Sequence, residues 1–360
     1  RLPEALDEKL LVPFHYFVVE DPVSLDADKF WTQGRFNQTE LTNVYTGAHA
    51  LAEQRLQAIV SALERYQNDI RSVRCIGFCA SVGHARFMAE QFNAQGLAAA
   101  CFVGETIDQE RAEALKKFRQ GEVNFLFTVD VLSEGADIPE VDTVLFLRPT
   151  DSLTVFLQQL GRGLRLHPGK ECLTVLDFVG HLHKRYRVDR KFKALLRKDR
   201  FNILRELESG FPHLPAGCSI RFEKVAREHV LRNIKSNLDN LRAQLIEHLE
   251  TFQSDTQTAP TFKNFATHHD YEALEILGKK RTWSEIKSAA RLQETPTDPD
   301  LEKLRAALIK IAGMSGRGGI AKLRAVLSHL LAGNIDEAIE VAGTNAMAIH
   351  FQLWGATGAQ

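Results

Sequence analysis

NFLFTVDVLSEGADIPEVDTVLFLRPTDSLTVFLQQLGRGLR, residues 124–165, holds two apolar runs, a polar loop between them, and a segment ending in paired arginines. NFLFTVD (124–130) and DTVLFLR (142–148) are too apolar for strands with one wet face, so both belong in a sheet covered on both sides. The first runs into a tight loop rather than a helix. The second is followed by a helix from about Ser152 to Leu164, the turn LHPGKE, and a further strand, CLTVLDFVG (172–180). Arg162 and Arg165 lie three residues apart at the end of that helix and repel each other, so an anion is expected between them.

Working outward, the alternation continues. RCIGFC (74–79) reads as a strand. SVGHARFMAEQFNAQG (81–96) reads as a helix capped by Ser81 and stopped by Gly96. AAACFVG follows as a strand, and TIDQERAEALKKFRQG as a helix with Thr106 and Gln109 in capping-box spacing and Gly121 at its end. Apolar strands alternating with amphipathic helices specify an α/β fold, one doubly wound parallel sheet over about 73–180. Residues 1–72 read as a lead-in: a short extended segment (PFHYFVVED), a polar stretch with Trp31, and a helix over about 48–66. After Gly180 the strands are expected to stop. Residues 181–360 read as an all-helical accessory domain, with helices at 184–208, 223–252, 262–276, 283–292, 299–313, 318–332 and 335–344.

Composition sets the limits. A chain of 360 residues exceeds one ordinary core, at roughly 150 residues per domain. A net charge of −1 means that any nucleic-acid contact must come from local patches. Five cysteines without a C-x-x-C, four of them in apolar strand-like contexts, indicate a reducing, cytoplasmic setting. No apolar run reaches the roughly 18 residues that span a bilayer, so no membrane partner is expected. The chain opens on Arg1, and RLPEALDEKLL reads as the interior of a longer polypeptide.

Ligands of open parallel sheets bind at the carboxyl ends of the strands, so FCASVGHA (78–85), FTVDVLSEGADIPEVDTV (127–144) and QQLGRGLR (158–165) are all expected at that edge. Taken singly, Ser81 is a helix cap, Asp130 and Asp137 are turn residues, and the arginines are a solvated face. Together, in this order, they resemble the second RecA-like domain of superfamily 2 helicases and translocases. The helix R-x-x-x-L-x-x-F-R-x-G-E, the loop T-x-D-V-x-x-x-G-x-D-x-P and the signature Q-x-x-G-R-x-x-R are all present within about 73–180.

That resemblance implies roles. Arg162 and Arg165 would reach the γ-phosphate of ATP, Gln158 would position them, and Gly161 would let backbone come close. Gly135 and Asp137 would meet the ribose, while Ser81 and Thr128 would hold nucleic-acid phosphates. Glu134 stands where some relatives carry a basic residue. No G-x-x-x-x-G-K-S/T and no D-E-x-D/H occurs. The pairs Gly169-Lys170 and Gly278-Lys279 lack a glycine-rich loop upstream. ATP with Mg²⁺ would therefore be bound mainly by an upstream RecA-like domain of the same polypeptide. This chain would supply the completing half of an ATP-dependent helicase and be inactive by itself. The nucleic acid is expected to be DNA, and the helical domain is a place for protein partners. The alternatives are a non-catalytic RecA-like binding module and the motor part of a restriction or defence complex.

Outside the resemblance, HLHKRYRVDRKFKALLRKDR (181–200) carries nine Lys or Arg against two Asp, a net of +7, with Tyr186 and Phe192 interleaved. It reads either as a solvated helix face or as a nucleic-acid track on which Lys184 and Arg185 come first. His181 with His183, and His268 with His269, lack a third ligand at a metal-binding spacing.

Overall fold

The computed structural model describes residues 2–32, 34–47, 50–104, 108–129, 138–150, 152–196, 203–269, 271, 273–276 and 282–293. The helices expected at 299–313, 318–332 and 335–344 lie outside them. The chain divides into two compact units, residues 1–238 and 239–360.

Among the described residues of the first unit nine strands form: β1 (Phe14–Glu20), β2 (Trp31–Thr32), β3 (Arg35–Phe36), β4 (Cys75–Phe78), β5 (Ala99–Cys101), β6 (Phe125–Thr128), β7 (Thr143–Phe146), β8 (Leu173–Val179) and β9 (Ser219–Phe222). Seven of them make one sheet in the order β5-β6-β4-β7-β8-β1-β9, with every pairing parallel. β2 and β3 form a separate antiparallel ribbon. All seven residues of β8, and all four in each of β4, β6 and β7, are buried, as the apolar runs require when helices cover both faces.

The pleat sends alternate residues to opposite cores. Leu173 and Val175 of β8 join the core beneath the helix Leu153–Gly163, while Leu176 and Phe178 pack with Ile59, Leu63, Met88 and Phe92. The latter come from the helices Ala50–Tyr66 and Val82–Ala94. Local capping follows the sequence. Ser81 Oγ accepts from the His84 backbone N–H, Ser152 Oγ accepts from that of Val155, and Gly96 and Gly121 adopt φ of 74° and 82° at the ends of their helices.

The sheet extends beyond residues 73–180 on both sides. PFHYFVVED contributes β1, which pairs with β8 over seven residues and with β9 over four. Strands do not stop at Gly180 either, because Ser219–Phe222 adds an outer strand. Its alternation, with Ile220 buried and Arg221 exposed, is too short to stand out beside the Gly- and Pro-rich segment preceding it. The long helix expected at 184–208 appears as two short ones, Val188–Ala194 and Ile203–Ser209. A helix Lys224–Thr256 then leaves the first unit. The described part of the second unit packs Leu245, Leu249 and Phe252 against Phe265, Ile276 and Ile286. No helix among the described residues is long and apolar enough to cross a membrane.

Candidate nucleotide and nucleic-acid site

The arginine helix, Leu153–Gly163, starts at the carboxyl end of β7 and runs back along the sheet, burying Phe156, Leu160 and Gly163. Its end lies against the beginning of the neighbouring strands. A Cβ on Gly163 would stand 2.7 Å from Leu173 Cδ1 and 3.1 Å from Val144 Cγ2, and Leu164 O accepts from the Val12 N–H at 2.9 Å. Arg162, half-buried, and Arg165, exposed, therefore lie at the amino edge of the sheet, not at the carboxyl edge where the sequence places them. The reason is topological: a helix joining two parallel strands must carry the chain back to where the second strand begins.

Lys170 closes this corner. Its ammonium donates to Gly163 O at 2.6 Å, Arg165 O at 3.0 Å and Pro139 O at 3.1 Å. Burial pulls its pKa down to about 8, against the neighbouring Asp142 and Glu140 carboxylates, which act in the opposite direction. Gly135 and Asp137 lie outside the described residues. Pro139, two positions beyond Asp137, is brought beside the end of the arginine helix by that ammonium. At Gly161 an added Cβ would meet nothing within 4 Å, so this glycine leaves space next to Arg162.

Gln158 is exposed on the helix. Its neighbour Gln159 is fully buried, and neither its amide nitrogen nor its amide oxygen has a hydrogen-bond partner. Burying an unsatisfied polar group costs about 1–3 kcal/mol. The sequence signature directs attention to Gln158 and passes over Gln159, since two adjacent glutamines differ only in which faces the sheet.

Ser81, Thr128, Lys184 and Arg185 follow or end strands β4, β6 and β8 and occupy the opposite, carboxyl edge. A seven-residue strand at roughly 3.3 Å per residue puts the two edges on the order of 20 Å apart. Ser81 Oγ accepts from the His84 N–H and, at 2.8 Å, from the Thr42 hydroxyl. Thr128 is buried, 3% exposed, and its carbonyl accepts from the Cys79 N–H. Lys184 and Arg185 are exposed. They directly follow His183, whose ring stacks on Trp31 at 5.0 Å and whose Nε2 lies 3.1 Å from Asp28 Oδ1.

Beneath this edge lies a buried network that no motif announces. Arg55 donates through Nε to Asp21 Oδ2 at 2.8 Å and through Nη2 to Leu147 O at 2.7 Å, and its guanidinium lies 3.9 Å from the Tyr45 ring. Its Nη1 is 3.3 Å from His84 Nε2, while His84 Nδ1 accepts from the Ala80 N–H. Burial, followed by the Arg55 and Arg148 charges, lowers the His84 pKa well below its ordinary value, so the imidazole is neutral. These bonds fix the strand-to-helix turn that presents Ser81.

Among its described residues, 181–196, the +7 segment is not a continuous basic surface. Lys191 is buried, with Nζ 2.5 Å from Asp177 Oδ2, which also accepts from the Tyr16 hydroxyl at 2.6 Å. Arg187 grips Asp189 through Nε and Nη2, both at 2.9 Å, and Lys193 reaches the same carboxylate at 2.9 Å. Burial alone would raise the Asp189 pKa, but the two cations outweigh it and hold the carboxyl far below its ordinary range. Tyr186 and Phe192 are core residues, unavailable for base stacking. Among the described residues no group of three or more His, Cys, Asp or Glu is placed to hold a metal ion.

Comparison with known proteins agrees with the motifs. Residues 54–167 match the helicase conserved C-terminal domain. The chain is 34% identical over 97 residues to IRC3 of Saccharomyces cerevisiae, covering 27% of this chain and 14% of that protein. It is 27% identical over 179 residues to the ATP-dependent RNA helicase SrmB of Haemophilus influenzae, covering 50% of this chain and 38% of the relative. These alignments span well under two thirds of either relative. The crystal structure of the E. coli DEAD-box protein SrmB bound to the regulator RraA aligns with 48% of this chain and 78% of its own at 20% identity. Its TM-score of 0.32 is too low to carry an inference.

Proposed function

We propose, from the premise that this chain carries the C-terminal domain of a superfamily 2 helicase, that it completes the ATP site of a nucleic-acid translocase. Arg162 and Arg165 are the groups that meet the γ-phosphate. The observation that carries this reading is their joint place at the end of one helix, with open space at Gly161 and the segment that follows Asp137 tied alongside by Lys170. A guanidinium is planar and permanently charged, so it can donate two parallel hydrogen bonds to phosphate oxygens as negative charge grows there. The described donor set is cationic, which fits an anion and not a divalent ion. Mg²⁺ and the remaining phosphates belong to an ATP-binding domain of the same polypeptide.

At the opposite edge, Ser81, Lys184 and Arg185 meet the sugar-phosphate backbone, and Thr128 supports the strand end behind them. Contacts of this kind are independent of sequence and sensitive to salt. Hydrolysis at one edge would thus act on a strand held at the other, through the rigid sheet between them. We take DNA as the substrate and a reducing, cytoplasmic compartment as the setting.

The test is Arg165→Ala in the polypeptide containing the ATP-binding domain. ATP binding should persist, while turnover drops by about 10³–10⁵-fold, the worth of an arginine finger. Near-normal turnover overturns the assignment. Parallel binding assays with DNA and RNA strands decide the nucleic acid.

A further inference from the structure

We infer that Lys170 is a positioning residue, a clamp that holds the end of the arginine helix against the Pro139 segment that leads into β7. An ammonium has three donors and no acceptor. Here the three converge on carbonyls from three places: Pro139 before β7, Gly163 in the last helical turn, and Arg165 beyond it. Two of those carbonyls belong to or flank the residues bearing the guanidinia, so the clamp acts on their backbone directly. A cation at the carbonyl end of a helix is also favoured by the helix dipole.

The chain builds the clamp with a tight turn. Lys170 N–H donates to His167 O at 3.1 Å, with Pro168 second in the turn and Gly169 third at φ 80°. That conformation suits glycine and brings Lys170 back under the helix end. The clamp forms one wall of a cleft of about 710 Å³ at the amino edge, lined also by Arg74, Arg119, Glu140, Asp142 and His167. These, with Cys172, are the titratable and charged groups facing the ammonium.

Loss of a proton leaves two N–H groups for three carbonyls. With the amine titrating at about 8, the clamp is complete below that pH and loosens above it. This inference rests on the finger reading for its effect on catalysis, but the clamp itself is testable separately.

In the polypeptide with its ATP-binding domain, Lys170→Met should lower kcat on the order of 10²-fold, the cost of misplacing a reacting group by about 1 Å. KM for ATP should change little. Lys170→Arg, which keeps the charge but spreads its donors in a plane, should recover part of kcat. The wild-type kcat should fall as pH rises through about 8, and this inflection should vanish in Lys170→Met. Wild-type kcat in Lys170→Met, or a retained inflection, overturns the clamp's effect on catalysis. Amide exchange across residues 163–166 separates the two readings: faster exchange in Lys170→Met supports the clamp even if Arg165→Ala turns over normally, and unchanged exchange refutes it. If Lys170→Met does not fold, the same readouts on Lys170→Arg decide the question.

Discussion

A methyl group at Gly163 would stand 2.7 and 2.9 Å from the two Cδ atoms of Leu173, a fully buried side chain. One at Gly161 would meet nothing. Two glycines flanking the same arginine therefore serve different ends. Gly163 lets the helix touch the sheet and so sets the height of Arg162 above it. Gly161 leaves space on the outer side, and helix propensity gives no reason for a glycine there. Gly163→Ala should destabilise the chain by about 1–3 kcal/mol through overpacking. Gly161→Ala should stabilise it by up to about 1 kcal/mol while reducing ATP turnover. Denaturant melts of both variants, with turnover measured in the complete polypeptide, check the contrast. Equal melting would show that the close approach to Leu173 is relieved by a small shift.

Between residues 181 and 196 the same residue types do two jobs. Lys184 and Arg185 are exposed, while Arg187, Lys191 and Lys193 are consumed by Asp177 and Asp189. Reversing Lys184 and Arg185 to Glu should weaken strand binding and flatten the dependence of log affinity on log salt by about 0.7–0.9 for each phosphate no longer gripped. Lys191→Met should instead cost about 3–5 kcal/mol of stability by leaving Asp177 buried without its cation. A salt titration and a melt distinguish the two. An unchanged slope in the double reversal would remove this element from the nucleic-acid surface. The sequence shows a run of nine cations and no means of sorting them, because the partner at 177 lies on a strand in the sheet interior. The cap at Ser81 and the stops at Gly96 and Gly121 were legible because their causes are local. The edge on which Arg162 and Arg165 emerge was not, since it depends on where the connecting helix ends and not on which residues it carries. The Arg55–Asp21–His84 network was equally hidden, being assembled from three segments that share no motif.

For the whole first unit, the decisive feature is the place of β1. The motif-bearing strands run from 75 to 179, yet the sheet order puts residues 14–20 between β8 and β9. Phe14, Tyr16, Val18 and Val19 are each at most 3% exposed. At about 1.5–3 kcal/mol for each large apolar side chain buried, four such residues rival the 5–15 kcal/mol by which a domain is stable. Removing residues 1–72 would also strip the Tyr16 hydroxyl from Asp177, take Arg55 from Leu147 O and, in 73–238, leave β9 with no strand to pair with. A fragment cut at the motif boundary, residues 73–180 or 73–238, should therefore show no cooperative melt and should aggregate along the open edge of β8. Residues 1–238 should melt in one transition, with the β8 amides among the slowest to exchange. A cooperative, monomeric 73–180 would mean that the helicase motifs fold without their N-terminal strand. The rigid sheet proposed to link the amino-edge arginines to the carboxyl-edge grips would then be the narrower one, ending at β8.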